Sequence, residues 1–291
     1  MTRGVVYMLL GAKHAVHLAV SLCSLRQWYD GPVCVLCDME GYGWARWIIE
    51  PECADDVERV FDYQIIFDQQ LNQPAGKLLK TLVPSLSPYD ATLFLDADTL
   101  VVGDIGELWP IHHELVLTQF SDWLTTRNRM RRRIAEWSDI EPMLAAHCLH
   151  FGEPVINTGV MAWERGAAVL EEWRKLAWKR PDKVGRYDPT DELALQLVFR
   201  EYPSRILDCR WNASVVFDWM RPDVRIWHAH GLKAWRRQTG RDIYLPFYES
   251  LLQENRCGIR SIPLPEKCVR SLPAEDRERL AKYWTWSEPC R

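Results

Sequence analysis

The strongest chemical signal in the chain is LFLDADT, residues 93–99, in which Asp96 and Asp98 stand two apart just past an apolar run. Two carboxylates at i and i+2 on a chain leaving a strand can face the same side. Residues 92–95 read as a buried strand, so the pair falls at a strand's carboxyl end, where open α/β sheets bind ligands. Hard oxygen ligands there suit Mg²⁺ or Mn²⁺, and such an ion can hold a diphosphate. The motif alone fits two chemistries. In a sugar transferase the ion neutralises a departing nucleoside diphosphate. In an aspartyl-phosphate phosphohydrolase Asp96 is the nucleophile and Asp98 the general acid, within an Asp-x-Asp-x-Thr pattern. A surface turn with no chemistry is the third reading. Placement favours the transferase. The phosphohydrolase arrangement opens on this strand, whereas β-α-β alternation already fills the chain ahead of Asp96, and no later apolar strand ends in paired aspartates.

The elements that must position this motif are legible from periodicity. Residues 4–10 (GVVYMLL) form a continuous β-branched and apolar run, the pattern of a strand buried on both faces. Residues 14–28 have helical character, Gly31 and Pro32 punctuate, and VCVLCD (33–38) reads as a second buried strand. That β-α-β unit predicts a parallel sheet. The pattern continues with a helix at 53–61, a strand at 63–67, a helix at 75–83 and the strand at 92–95. Further on it predicts strands at 114–119, 155–163, 205–208 and 224–228, and helices at 126–137, 166–179 and 189–201. From about residue 256 the chain changes character, with Pro263, Pro265, Pro273 and Pro289 around one short helix at 274–284. The reading is one α/β domain over 1–255 with an appendage, 256–291, packed on it.

Composition narrows the classes. Of 291 residues, 47% are hydrophobic and 26% charged, enough for a packed core and unlike a disordered or fibrous chain. The net charge of −4 gives no global reason to bind nucleic acid or an anionic membrane. Nine cysteines, odd in number and irregularly spaced, point to reduced thiols and a cytoplasmic setting. Cys34 and Cys37 lie three apart on a strand, hence on opposite faces, and have no matching second pair, which argues against zinc. Lys13 and His14 interrupt the N-terminal apolar run, which argues against a signal peptide, and no long apolar stretch predicts a membrane span.

Several motifs, in order from about residue 4 to 236, resemble the family 8 glycosyltransferases, the retaining GT-A group that includes glycogenin and bacterial galactosyltransferases. They are GVVYMLLGAKHAVHLAVSLCSL (4–25), KTLVPSLSPYDATLFLDADTLVVGD (80–104), VINTGVMAW (155–163), DELALQLV (191–198) and HAHGLKAW (228–235). The resemblance implies a GT-A fold, a Rossmann-like mixed central sheet flanked by helices. It implies transfer of a hexose from a nucleotide-diphosphate sugar, UDP-glucose or UDP-galactose, to an acceptor hydroxyl with retention of configuration. It also implies a Mn²⁺ or Mg²⁺ cofactor held by Asp96, Asp98 and His228. Lys80 and Asn157 would contact the donor, with Ala97 and Gly231 lining it. Leu9, Leu10 and His14 would frame the base. Lys233 would meet the diphosphate, and Asp191 would lie beside the reacting carbon, these two being the catalytic pair. The chain departs from the pattern in three places. Glu192 replaces a Gln, Leu9 and Leu10 replace polar residues, and the loop after His228 is one residue shorter with Ala234 in place of Pro, leaving His230 as a rival ligand. A non-catalytic relative that only binds glycan or nucleotide keeps the same motifs.

The remaining features carry weaker readings. Arg127, Arg129, Arg131, Arg132 and Arg133 form the densest basic cluster, either a solvated helix face or a site for a phosphate-bearing acceptor. The acceptor class stays open among glycan, protein, lipid and modified nucleic acid. KYWTW (282–286) reads as core packing before it reads as a weak membrane contact. Asn212 and Ser214 form a formal glycosylation acceptor, without meaning in a cytoplasmic protein. Of 15 tryptophans, Trp28, Trp173 and Trp178 are expected in the core, and Trp163, Trp211, Trp227 and Trp235 are expected to wall a sugar-sized cleft.

Overall fold

The computed structural model describes residues 1–49, 54–61, 75–110, 113–120, 130–132, 134, 154–178, 190–230, 238–254 and 269–281. The chain opens with β1 (Arg3–Leu9), α1 (Ala15–Leu25), β2 (Val33–Asp38), α2 (Met39–Ile48) and β3 (Asp56–Phe61). Next come α3 (Ala75–Lys80), α4 (Val83–Leu86), β4 (Ala91–Leu95), β5 (Thr99–Val101), β6 (Leu115–Gln119) and β7 (Ile156–Glu164). Then follow α5 (Ala168–Trp178), α6 (Thr190–Val198), β8 (Ser204–Leu207), β9 (Ala213–Ser214), β10 (Ile226–His228), α7 (Gln238–Glu254) and α8 (Ala274–Ala281).

Seven strands form one mixed sheet in the order β3-β2-β1-β4-β7-β6-β8, with β7 antiparallel to both its neighbours. The first four are parallel, and the apolar runs of β1, β2 and β4 are buried on both sides. Alternate residues of β1 go to opposite faces. Val5, Tyr7 and Leu9 join a core with α1, α2 and α7, while Val6 joins a second core with α3, α5 and α6. Each fully buried side chain of this kind contributes about 1.5–3 kcal/mol. A small second sheet, β5-β10-β9, lies past the carboxyl end of β4.

The fold class is as the sequence implies, with local corrections. Residues 56–61 are strand β3 rather than part of a helix. This edge strand pairs with β2 and leaves Asp56, Glu58 and Arg59 at least partly exposed, a charged edge that reads as helical from sequence alone. Helix α2, which the periodicity does not predict, is capped by the Asp38 carboxylate accepting from Gly41 N–H at 2.5 Å. The 75–83 helix is divided into α3 and α4, with Pro84 in the first turn of α4. The expected strand at 63–67 and nearly all of the helix at 126–137 lie outside the described residues.

Cys34 and Cys37 do face opposite cores, and Cys23, Cys34, Cys37 and Cys209 are not in disulfides. Burial pushes the Cys34 thiol up to about 12, so it is inert as a nucleophile. Among the described residues, no helix is long and apolar enough to cross a membrane.

Candidate active site

Strand β4 ends at Leu95, and the next residues turn tightly. The Asp96 carbonyl accepts from Thr99 N–H at 3.1 Å and from the Thr99 hydroxyl at 2.9 Å. The turn is tied on both flanks: Asp96 N–H donates to Gly159 C=O at 2.7 Å, and Ala229 N–H donates to Asp98 C=O at 2.9 Å. Because β7 runs antiparallel to β4, its first residues reach the same edge of the sheet. Antiparallel pairing of β5 with β10 sets His228 opposite Thr99. The result gathers Asp96, Asp98 and His228, with one ligand atom from each lying within 4.8 Å of the others. His228 Nε2 is 3.4 Å from Asp98 Oδ1 and 3.8 Å from Asp96 Oδ2.

Gly159 makes room for that imidazole. A Cβ at this position would overlap His228 Cε1 and Nδ1. On its other edge His228 Nδ1 meets Asn212 Oδ1 at 2.8 Å. Burial works against charging the ring, but the charge and hydrogen bond of Asp98, with Asp96 behind it, hold its pKa above the ordinary value. His230 sits in left-handed backbone (φ 52°), stacks on His228 at 4.1 Å and packs in a tilted arrangement against Phe120 at 5.3 Å. Of these two histidines, His228 is the one in the cluster with the two carboxylates.

Lys80, at the end of α3, is buried against this group. Its ammonium bridges the two Asp96 oxygens at 2.7 and 2.9 Å and stands 3.7 Å from Asp191 Oδ2. Burial lowers its pKa, but the carboxylates of Asp96 and Asp191 outweigh that and hold it above the usual lysine range. Asp191, in the first turn of α6, is 3% exposed. Its Oδ2 accepts from the Thr158 hydroxyl at 2.9 Å and its carbonyl from Trp173 Nε1 at 2.8 Å. Asp191 Oδ1 is buried with no hydrogen-bond partner among the described residues. Asn157 is committed to the protein at both ends. Its Nδ2 donates to Glu192 Oε1 at 2.6 Å, and its Oδ1 accepts from Gly159 N–H and Asn212 Nδ2.

The expected residues therefore divide. Asp96, Ala97, Asp98, Lys80, Asn157, Asp191 and His228 converge on one edge of the sheet. His14 begins the turn into α1, and burial lowers its pKa against the opposing pull of Asp98. Leu9 is a core side chain, 1% exposed, so only its backbone is available to a ligand, and Leu10 lies against Gly76. Gly231, Lys233, Ala234 and Trp235 lie outside the described residues, as do Arg127, Arg129 and Arg133. Trp163 and Trp211 belong to the two cores rather than to a cleft, since alternation along β7 turns Trp163 onto Phe94. Trp28, at 46%, and Trp178, at 36%, are exposed rather than in the core, while Trp173 is buried as expected. Asn212 is fully buried, which excludes it as a glycan acceptor. The sequence reading missed Thr118, Thr158, Asn212 in its polar role, and Asp38. Both oxygens of Asp38 hold Gly11 N–H at 3.1 Å, fixing the turn after β1 where Gly11 has φ 63°.

No protein-family model matches the chain, and no curated protein sequence does. Solved structures match over most of its length. The apo WbbM bifunctional glycosyltransferase superposes with a TM-score of 0.61 at 14% identity, over 93% of this chain and 51% of WbbM. The chain thus spans about half the length of that protein. The galactosyltransferase LgtC, solved with donor and acceptor sugar analogues, gives 0.60 at 15% identity over 92% of this chain and 100% of LgtC. The glycosyltransferase GlyE of Streptococcus pneumoniae TIGR4 gives 0.56 at 15% identity over 87% of this chain and 63% of GlyE. The fold is GT-A. On this GT-A sheet the Asp-Ala-Asp turn lies at the carboxyl end of the central parallel strand β4, and the phosphohydrolase alternative for Asp96 gains no support.

Proposed function

We propose that the chain is a metal-dependent glycosyltransferase, moving a hexose from UDP-glucose or UDP-galactose to an acceptor hydroxyl with retention of configuration. The observation that carries this reading is the Asp96–Asp98–His228 cluster at the carboxyl edge of a GT-A sheet. Two carboxylates and an imidazole are an ordinary donor set for Mn²⁺, and the oxygens suit Mg²⁺. The fit is supported by His228, whose Nδ1 is already engaged by Asn212 while Nε2 lies beside the carboxylates. When bound, such an ion supplies Lewis acidity at the diphosphate as the anomeric bond breaks.

The chain's own residues do the rest. Asp96 and Asp98 would hold the ion, and Lys80 fixes the Asp96 carboxylate in place through its two contacts. Asp191 Oδ1, a buried acceptor with no donor among the described residues, is available to a sugar hydroxyl or to the positive charge that develops at the reacting carbon. Asn157 has at most one N–H left for the donor sugar, since Glu192 takes the other. Lys233, assigned by its motif, steadies the leaving diphosphate. Base recognition falls to His14 and to the backbone around Leu9 and Leu10. Cys23, Cys34, Cys37 and Cys209 stand outside any disulfide, which supports a reducing, cytoplasmic setting.

The test is UDP release from a panel of UDP-sugars with and without Mn²⁺. Sugar-dependent, Mn²⁺-dependent release is expected from the native chain and none from Asp98→Asn. Unchanged Mn²⁺-dependent UDP-sugar binding in Asp98→Asn overturns the metal assignment. Phosphate release from monoesters without any UDP-sugar turnover would revive the phosphohydrolase reading.

A further inference from the structure

A string of hydrogen bonds runs from Glu192 to His228, and its direction is fixed by groups that cannot reverse. The Thr118 hydroxyl donates to Val160 C=O at 2.7 Å, so toward Asn212 it can only accept. Asn157 Oδ1 takes the Gly159 N–H at 2.8 Å, while Asn157 Nδ2 is given to the Glu192 carboxylate at 2.6 Å. Asn212 Nδ2 then donates to both Thr118 Oγ1 and Asn157 Oδ1, each at 2.9 Å. Reversing the Asn212 amide would set its oxygen against two acceptors. Its Oδ1 is therefore left to face His228 Nδ1 at 2.8 Å, and a carbonyl oxygen there requires a proton on Nδ1. A neutral imidazole protonated on Nδ1 carries its lone pair on Nε2, the nitrogen beside Asp98 and Asp96.

We infer that Asn212 is a positioning residue that keeps the His228 proton on Nδ1 and so holds Nε2 as a ligand for the divalent ion. This rests on the proposed metal-dependent transfer and extends it to a residue that touches neither ion nor sugar. Asn212, Asn157 and Thr118 are all buried, so water offers Nδ1 no substitute acceptor. Without Asn212, the favoured proton position is Nε2, where Asp98 accepts it and the lone pair faces away from the ligand cluster. Groups that orient a metal-bound histidine are commonly worth about 10- to 100-fold in metal affinity.

The experiment uses full-length protein with ¹⁵N-labelled histidine and two variants. In metal-free protein, above the pH at which the ring titrates, ring ¹⁵N shifts should report Nδ1–H in the native chain and Nε2–H in Asn212→Ala. Calorimetry with Mn²⁺ alone should show affinity lowered about 10- to 100-fold in Asn212→Ala. Asn212→Asp keeps an acceptor toward Nδ1 but, like Ala, loses the donations to Thr118 and Asn157. It should restore Nδ1–H and most of the affinity. A merely structural role predicts the reverse, with Asp no better than Ala. An unchanged tautomer in Asn212→Ala, or no recovery in Asn212→Asp, overturns the inference. A native chain that shows Nδ1–H yet binds no Mn²⁺ overturns the metal reading instead, and the ligand role with it.

Discussion

His17 and His228 are both buried, and their surroundings push them in opposite directions. His17, on α1, packs against His14 at 5.4 Å and against Tyr244 of α7 at 5.6 Å. Burial, reinforced by His14, drives its pKa down to about 4. His228, on β10, suffers the same burial, yet Asp98 and Asp96 carry it above the ordinary value. The seam between α1 and α7 is built for packing, and a neutral ring serves there. The seam between β5 and β10 gathers charge, and its histidine is matched to carboxylates. Burial alone therefore does not say what a buried histidine is for; the groups within about 4 Å do.

The largest effect expected from breaking this contrast lies on the charged side. Lys80→Met leaves Asp96 and Asp191 without their buried counter-ion, and denaturant unfolding in metal-free protein should lose about 3–5 kcal/mol. Added Mn²⁺ should return part of that loss. On the packed side, His17 is neutral when folded and titrates near the ordinary histidine value of 6.5 when unfolded. Its contribution is fully present above pH 6.5 and is lost as pH falls toward about 4, on the order of 3 kcal/mol in all. His17→Gln should remove that part of the pH slope; an unchanged slope would assign it to other groups. The contrast sharpens further if Asp96→Asn and Asp98→Asn are combined, because His228 should then titrate below its ordinary value, as His17 does. NMR titration of the ring reads this directly, and a ring still held high would mean the carboxylates are not the cause. The smallest effect is expected for Trp173→Phe, which removes the hydrogen bond to the Asp191 carbonyl at 2.8 Å and should cost about 1 kcal/mol in unfolding experiments.

Residues whose type suits one kind of environment were readable in advance. The apolar runs of β1, β2 and β4 predict a buried parallel sheet, and Asp96 and Asp98 at a strand's end announce chemistry wherever they occur. His228, Lys80 and Asp191 needed family resemblance, because a single His, Lys or Asp beside an apolar segment has many ordinary uses. Asn212 and Thr118 were not readable at all. Each is one polar residue whose purpose comes from partners far away in sequence, across 94 residues in the bond that joins them. Two helices escaped for a different reason. Helix α2 carries Gly41 and Gly43, and α7 carries Pro246 inside it, residues that lower helical propensity until tertiary packing outweighs them. Strand β3 was misread because charges on an edge strand mimic the polar face of a helix.

The imidazole of His228 occupies space that exists only because residue 159 has no side chain. That makes position 159 a diagnostic character. A related sequence with anything larger at the matching place must shift its histidine or find its third ligand elsewhere. One letter, read beside an Asp-Ala-Asp turn, then tells whether this arrangement of donors can be carried from one chain to another.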